Sequence, residues 1–199
     1  TVGTFSNNSA TDTNKVATLA TTSSATSGTF SLVVNNLARE TKLLSNGFEN
    51  TSTTVEVGVL KLSVGNNTTQ ITIDNTNNTL EGIRLAINNS GANIQANFLN
   101  DGSATNPVKL VISATKTGVD NAISVSLTSN LFGAGQQHAM TFSEVQTAQN
   151  ASFVLDGVAV TKANNTVTDV ISGATLQLES AGSGIITLTP DEGAIKEKI

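Results

Sequence analysis

The amino-acid sequence predicts a mainly β protein with a few short helices, a β-rich α+β fold in two domains, one inserted into the other. Short apolar runs that alternate with polar residues recur along the chain, separated by Gly, Asn and Asp. Two windows, residues 79–91 and 164–173, have helical spacing instead. The block that begins near residue 145 is too short to bury its own core, so it needs strands from the N-terminal region. The middle of the chain then becomes an insertion.

Composition limits the classes of function. The chain has 199 residues, of which 38% are hydrophobic and only 13% are charged, with a net charge of −5 and no Cys. The low share of charged residues leaves Thr, Ser and Asn to cover the surface. We expect no basic nucleic-acid footprint, no polybasic membrane patch, no disulfide and no thiol chemistry. The first residue is Thr1 and the sequence stops at Ile199 inside an apparent helix start, so we expect a middle piece of a longer protein.

The N-terminal region supplies strands. Residues 1–14 are polar and are predicted to be irregular, residues 15–21 form a weak strand, and residues 29–34 form a stronger one. Residues 37–45 are ambiguous: Leu37, Leu43 and Leu44 form no clean helical stripe, and the segment also fits a continuation of the sheet beyond a kink. The polar, Gly-containing stretch 46–54 resembles a linker.

The central block begins with a predicted hairpin, residues 55–64 and 69–73, joined by a turn at Gly65. A helix follows, with Thr79 as its N-cap and Asp74 in the preceding turn. The helix is predicted to bury its apolar residues and to end at 88–91. The residues expected to face inward are Ile83, Leu85, Ala86 and Ile87.

Three more strands complete the central block, at 94–99, 108–114 and 123–127, and a Gly- and Gln-rich exit loop follows at 131–137. The predicted domains are therefore 1–50 with 140–199, which form one discontinuous inner domain, and the inserted outer domain 51–139.

The C-terminal block begins with a hairpin. Asp156-Gly157 separates the apolar runs 152–155 and 158–161, and this dipeptide favours a type I′ turn with two positive φ angles. A short helix is predicted next, because Asn164-Asn165 precedes Val167, Val170 and Ile171 at helical spacing and Gly173 suits its C-terminal end. A strand at 175–178 follows.

Candidate chemical residues are few. His138 is the only histidine and lies in no catalytic motif, so we predict a loop or interface role. Residues 74–81 offer many oxygens for calcium but lack the Gly and ligand spacing of a calcium loop. Turn and helix-capping roles are predicted for the carboxylates. They are Asp74, Glu81, Asp101, Asp120, Glu144, Asp156, Asp169 and Asp191. Lys196 and Lys198 are expected on the polar face of the C-terminal helix. We predict no catalytic residue, no metal site and no cofactor.

Three ordered segments resemble the flagellar hook-associated protein 2 family, the filament caps of bacterial flagella. They are GTFSLVVNNLARETKLLS (28–45), TLEGIRLAINNSGANIQANFL (79–99) with its continuation VKLVISATKTG (108–118), and AQNASFVLDGVAVTKANNTVTDVISGATLQL (148–178). The second segment contains the family's "IN" pair as Ile87-Asn88. The family often has Arg-Ser-Ser-Asn where this chain has residues 161–165, and the helical, coiled-coil termini of the family are absent from this sequence.

The resemblance implies a structural protein of the flagellum rather than an enzyme. It implies a ring-shaped homo-oligomer at the filament tip that promotes flagellin insertion and polymerisation, with export through the flagellar secretion system to the cell exterior and a role in motility. The partners implied are further copies of the chain and flagellin, with no nucleic acid and no membrane. The alternative is an extracellular adhesin or carbohydrate-binding β module that binds host surface glycans.

Overall fold

The computed structural model describes residues 1–7, 15–129 and 138–190, and within these the chain is mostly strand. The strands are β1 (Val2–Asn7), β2 (Ala17–Thr21), β3 (Gly28–Asn36), β4 (Lys42–Ser45), β5 (Gly58–Val64), β6 (Asn67–Ile73), β7 (Ile94–Asn100), β8 (Val108–Ala114), β9 (Ile123–Ser129), β10 (Phe142–Gln146), β11 (Ala151–Leu155), β12 (Val158–Lys162), β13 (Thr166–Ile171), β14 (Ala174–Leu178) and β15 (Gly182–Thr189). A single α-helix, α1 (Leu80–Asn88), and a 3₁₀ turn (Val119–Asn121) are the helical elements among the described residues. The predicted β-rich fold class is confirmed.

The chain forms two compact units: unit 1 comprises residues 1–38 and 149–199, and unit 2 comprises residues 39–148. Both ends of the predicted insert, residues 51 and 139, lie inside unit 2.

Unit 1 is built from two antiparallel sheets. The larger has the strand order β1-β15-β3-β11-β12, and the smaller has the order β13-β14-β2. Alternation along β3 turns Leu32 and Val34 inward, where they join Phe153, Leu176 and Ile186 in one apolar cluster drawn from both sheets. Unit 1 is therefore a sandwich with a shared core, as expected for sheets that are apolar on one face.

Unit 2 contains a four-stranded sheet, β10-β4-β8-β7, a three-stranded sheet, β6-β5-β9, and helix α1. Its core joins residues from all three elements, among them Leu60, Ile83, Ile87, Leu110 and Ile112, all with no exposed surface. The predicted helix is confirmed: the Thr79 hydroxyl accepts a hydrogen bond of 3.0 Å from the Gly82 N–H and so caps the first turn.

The predicted hairpin at Asp156-Gly157 is also confirmed. Asp156 has φ 48° and Gly157 has φ 81°, and Leu155 pairs with Val158 on either side of the turn. The need for N-terminal partner strands is met as well, because β3 lies between β11 and β15 in the larger sheet.

The helix predicted after Asn165 is wrong: residues 166–171 form strand β13. Val167 pairs with Leu176 and Ile171 with Ala174, so residues 168–170 lie opposite the single residue Thr175. This bulge turns both Val170 and Ile171 toward the apolar cluster. The apparent helical spacing of Val167, Val170 and Ile171 thus arises from a bulged strand.

Other expectations need correction. Residues 2–7, predicted to be irregular, form β1, which pairs with β15 at the far end of the sequence. The predicted linker at 46–54 instead packs into unit 2, where Phe48 is buried and exchanges two backbone hydrogen bonds with Val108. Residues 37–45 do not extend the β3 sheet, because β4 pairs with β8 and β10 instead. Leu85, predicted to be buried, is 45% exposed.

Candidate functional site

His138 lies in a short parallel bridge with Val55 rather than in a cluster of reactive groups. The backbone N–H of His138 donates to the Thr54 carbonyl, and the backbone carbonyl of His138 accepts from the Glu56 N–H. The ring packs edge-on against Phe48, with 6.4 Å between ring centroids. These contacts are structural ones within unit 2.

The oxygen-rich segment 74–81 is a turn leading into α1. Asp74 accepts hydrogen bonds from both the N–H and the hydroxyl of Thr76, and these bonds lower the pKa of its carboxyl group. The Asn77 amide accepts from the Asp74 N–H and donates to the Thr72 carbonyl. The side-chain oxygens of Asp74 and Asn77 therefore accept hydrogen bonds from backbone N–H groups of the turn, as in an Asx-turn.

Several other carboxylates have a cation or turn donors as partners. Glu81 receives two hydrogen bonds from Arg84, at 2.7 and 2.9 Å, and Asp169 lies 2.6 Å from the Lys162 ammonium. Asp101 pairs with Lys109 at 2.7 Å, and this contact together with the Ser103 N–H holds the pKa of Asp101 well below its usual range. Among the residues that the structure describes, no group of three His, Asp or Glu side chains is placed to hold a metal ion. Asp191, Lys196, Lys198 and the predicted exit loop at 131–137 lie outside the described residues.

The Ile87-Asn88 pair of the sequence analysis has a clear structural role. Ile87 is fully buried in the core of unit 2. The Asn88 amide faces the edge of β7, where its oxygen accepts from the Ala96 N–H at 2.7 Å and its nitrogen donates to the Ala96 carbonyl at 3.0 Å. Asn88 thus satisfies one edge residue as a neighbouring strand would, and it fixes the end of α1 to the sheet.

Unit 1 contains the same two-point arrangement. The Asn165 amide accepts from the Ala38 N–H at 2.7 Å and donates to the Ala38 carbonyl at 3.0 Å. Ala38 is almost fully buried. The two residues belong to the first and third segments of the family resemblance, so these segments meet in the fold. The sequence predicted Asn165 at the start of a helix. The high Asn content of the chain was the one feature consistent with side-chain contacts to the backbone of this kind.

Replacing Asn88 by Ala should destabilise unit 2 by about 1–3 kcal/mol, since it leaves the N–H and carbonyl of buried Ala96 without their partner. Denaturant unfolding followed by far-UV circular dichroism measures this change. The matched control is Asn89→Ala on the adjacent exposed residue, for which we expect a loss of no more than about 0.5 kcal/mol. Equal losses in the two variants would remove the special role of Asn88.

One candidate contact surface is the side of the five-stranded sheet that faces away from its core, here called the outer face. Register and alternation place Ser, Thr and Asn on it, together with a few apolar side chains. The apolar ones are Val2, Val33, Val154, Ala159 and Ile185. Within the five strands the single charged residue is Lys162, which pairs with buried Ala151 and so belongs to the opposite face. The outer face therefore has no charged strand residue.

A sheet face whose strands carry no charged residue suits contact with another protein, because few ionic groups must lose their water on binding. It offers no nucleophile or general base beyond hydroxyl groups. Among the described residues, the structure contains no helix long and apolar enough to cross a membrane.

Comparisons with known proteins point in one direction. Residues 148–199 match the family model described as "Flagellar hook-associated protein 2 C-terminus". The B-type flagellar hook-associated protein 2 of Pseudomonas aeruginosa is 30% identical over 201 residues, which cover 89% of this chain and 42% of the relative. The chain thus spans about two fifths of the length of that curated relative.

Solved structures agree with the sequence matches. FliD from Pseudomonas aeruginosa PAO1 superposes with a TM-score of 0.74 at 28% identity, covering 92% of this chain and 88% of that one. The D2-D3 domains of the flagellar cap protein FliD from Escherichia coli give a TM-score of 0.77, with 96% and 100% coverage. At 24% identity this second match supports the fold alone. The chain belongs to the flagellar hook-associated protein 2 family.

Proposed function

We propose that the chain is part of a bacterial flagellar filament cap, which acts at the filament tip outside the cell after export by the flagellar system. The observation that carries the proposal is the family match along 89% of the chain, together with cap-protein structures that share its fold. The full-length protein would assemble as a ring-shaped homo-oligomer and promote the insertion and polymerisation of flagellin. The role is structural and involves no covalent step.

Sheet surfaces of the chain would make the contacts with flagellin or with further copies of the chain. The outer face of unit 1 combines hydroxyl and amide groups with Val33 and Ile185, each 42% exposed. Such a surface binds through shape and buried apolar area rather than through ion pairs. We further propose that the two units are separate domains, with unit 2 inserted into unit 1. Two chain crossings, near residues 38 and 148, would join them.

The test is genetic and uses the full-length gene. Deletion should abolish motility, shorten the filaments and release unpolymerised flagellin into the medium, and the wild-type gene should restore all three. Normal filaments with no released flagellin after deletion would overturn the cap role.

A complementation pair tests the outer face. Ile185→Lys places a charge on this face, whereas Leu99→Lys places one at a site in unit 2 that is 44% exposed, close to the 42% of Ile185. We expect the Leu99 variant to restore motility and the Ile185 variant to restore it only partly, with both proteins present at the same level. Full restoration by both variants would exclude the outer face as a contact surface.

A glycan-binding adhesin is the second candidate, and the abundance of exposed Thr, Ser and Asn side chains is the feature in its favour. The chain lacks Trp and Tyr, which leaves few aromatic side chains to line a ligand site. Binding of the purified chain to defined glycans on an array would support this function, and an array without signal would count against it.

A further inference from the structure

The sequence contains one Asn-Gly pair, Asn46-Gly47, which directly follows strand β4. In such a pair the backbone nitrogen of Gly attacks the side-chain amide carbon of Asn with little hindrance, because the second residue has no Cβ. Asn-Gly is for this reason the dipeptide in which Asn is most readily lost by deamidation. Asn46 is therefore the Asn residue of this chain that is chemically most prone to conversion.

The Asn46 side chain fixes residues 139–141 to the end of β4. Its amide oxygen accepts a hydrogen bond of 2.9 Å from the Thr141 N–H, and its amide nitrogen donates to the Ala139 carbonyl at 3.1 Å. The backbone N–H of Asn46 also donates to the Thr141 carbonyl, at 3.1 Å. The side chain thus acts both as an acceptor and as a donor, which a carboxylate cannot do.

Gly47 is fixed by a close approach of two backbone segments. A Cβ atom at position 47 would overlap the carbonyl oxygen of Asn106. The next residue, Phe48, exchanges backbone hydrogen bonds of 2.7 and 3.0 Å with Val108. The backbone on both sides of the Asn46–Gly47 peptide bond is therefore attached to other segments of unit 2.

The folded structure opposes deamidation without excluding water. Asn46 is exposed, so access of water does not limit the reaction. Ring closure, however, makes the planar amide carbon tetrahedral and expels the amide nitrogen, so the hydrogen bond to Ala139 is lost and the one from Thr141 is distorted. The reaction then requires residues 139–141 to open locally, and its rate falls by the equilibrium constant of that opening.

We propose that Asn46 is a deamidation site controlled by folding, which is modified in open or unfolded chains and protected once unit 2 has closed. The Gly47 nitrogen loses its proton and bonds to the Asn46 amide carbon, the bond from that carbon to the amide nitrogen breaks, and ammonia leaves with the proton. Water then opens the five-membered ring at either carbonyl and gives Asp or isoaspartate. One water is consumed and one ammonia is released, with no oxidant or cofactor.

The product lacks the donor that the Ala139 carbonyl binds. One carboxylate oxygen would face this carbonyl oxygen, and isoaspartate would also lengthen the backbone after β4 by one carbon. Met140 lies between the two residues that Asn46 contacts, is 6% exposed and belongs to the core of unit 2. Deamidation should therefore loosen residues 139–141 and expose Met140, the only Met in the chain.

Peptide mapping by mass spectrometry tests the control by folding on the parent chain. The chain is incubated at mildly alkaline pH with and without guanidinium chloride, and conversion of Asn46 is measured in the tryptic peptide 43–61. Conversion should be at least roughly tenfold faster in denaturant, which corresponds to a local opening free energy of about 1.4 kcal/mol. Equal rates in the two conditions, or no conversion in denaturant, would overturn the proposal.

Asn50 is an internal control in the same peptide, because the β-branched residue Thr51 follows it. It should remain unmodified in both conditions. Conversion of Asn50 as fast as that of Asn46 would contradict the assignment, since the following Gly would then have no effect.

A pair of variants at Thr141 tests the protection by the side-chain contacts. Thr141→Pro removes the N–H that donates to the Asn46 oxygen, whereas Thr141→Val keeps this N–H and removes the hydroxyl, which lies 3.4 Å from the same oxygen. Without denaturant the Pro variant should lose Asn46 at least roughly threefold faster than the parent, and the Val variant should match the parent. Circular dichroism checks that both are folded. No acceleration in a folded Pro variant would contradict the protective role.

Oxidation of Met140 by hydrogen peroxide measures the consequence. Asn46→Asp reproduces one product, and Asn50→Asp is the matched control, because it adds the same charge at an exposed residue of the same segment. Met140 should be oxidised at least roughly threefold faster in the Asn46 variant and at the parent rate in the Asn50 variant. Equal oxidation in both variants would exclude the proposed opening. These assays use the purified chain, so their outcome is independent of the deletion test for the cap role.

Discussion

Replacing Gly173 by Ala should destabilise unit 1 by about 3 kcal/mol or more. Gly173 has φ 72°, a left-handed conformation that costs an L-residue free energy. A Cβ atom there would also lie 2.5 Å from the Ala25 nitrogen and 2.7 Å from its Cα. Both contacts are with backbone, and the Gly173 carbonyl accepts a hydrogen bond from the Thr22 N–H, so the two chain segments cannot separate without losing that bond.

Gly157→Ala is the matched control, because Gly157 has a similar φ of 81° but no atom within 4 Å of the position that a Cβ would occupy. We expect it to cost about 1 kcal/mol, the contribution of the backbone conformation alone. The difference between the two losses of stability then measures the free-energy cost of the steric contact between a Cβ at position 173 and residues 24–25. Equal losses would show that this contact relaxes at little cost.

Hydrogen exchange followed by mass spectrometry is the informative measurement for the glycine pair. The chain has no Trp or Tyr for fluorescence, and exchange separates the two units by peptide. Faster exchange in Gly173→Ala should be confined to residues of unit 1. Faster exchange in unit 2 to the same degree would mean that the units unfold together.

Ile87→Asp is expected to unfold unit 2 or to destabilise it by more than about 3 kcal/mol. Ile87 has no exposed surface and packs among the core residues of both sheets, so the substituted carboxylate would lose its water. Thermal unfolding by circular dichroism, with hydrogen exchange to identify the unit, measures the effect.

The control for this variant is Leu85→Asp, on the same helix and 45% exposed. Its carboxylate would remain in water, so we expect a change of less than about 1 kcal/mol. A loss at position 85 as large as that at position 87 would mean that the exposed face of α1 has been assigned incorrectly.

The sequence predicted well where a single local rule decides the structure. Asp156-Gly157 formed its turn because two positive φ angles require such residues, and Thr79 capped α1 because its hydroxyl reaches the first-turn amides. The pairing of β3 with β11 followed from the small size of the C-terminal block. The turn and the helix cap depend on few residues and on no distant contact.

The predictions failed where contacts between residues far apart in the sequence decide the local structure. β1 has little apolar patterning and becomes a strand because β15 offers it a partner from the other end of the chain. The bulge in β13 imitates helical spacing, and only pairing with β14 reveals it. The roles of Asn88 and Asn165 depend on which backbone groups lie opposite them in space, and one sequence does not contain that information.

The topology of unit 1 also determines when each part of the chain can fold. β1 pairs with β15 along the register Val2 to Thr189, so the five-stranded sheet cannot close until residue 189 has left a ribosome or an export channel. Unit 2 occupies one continuous stretch, 39–148, and can complete its core earlier. Until then β3 exposes its apolar face, and any factor that protects the growing chain has to cover this strand for longest.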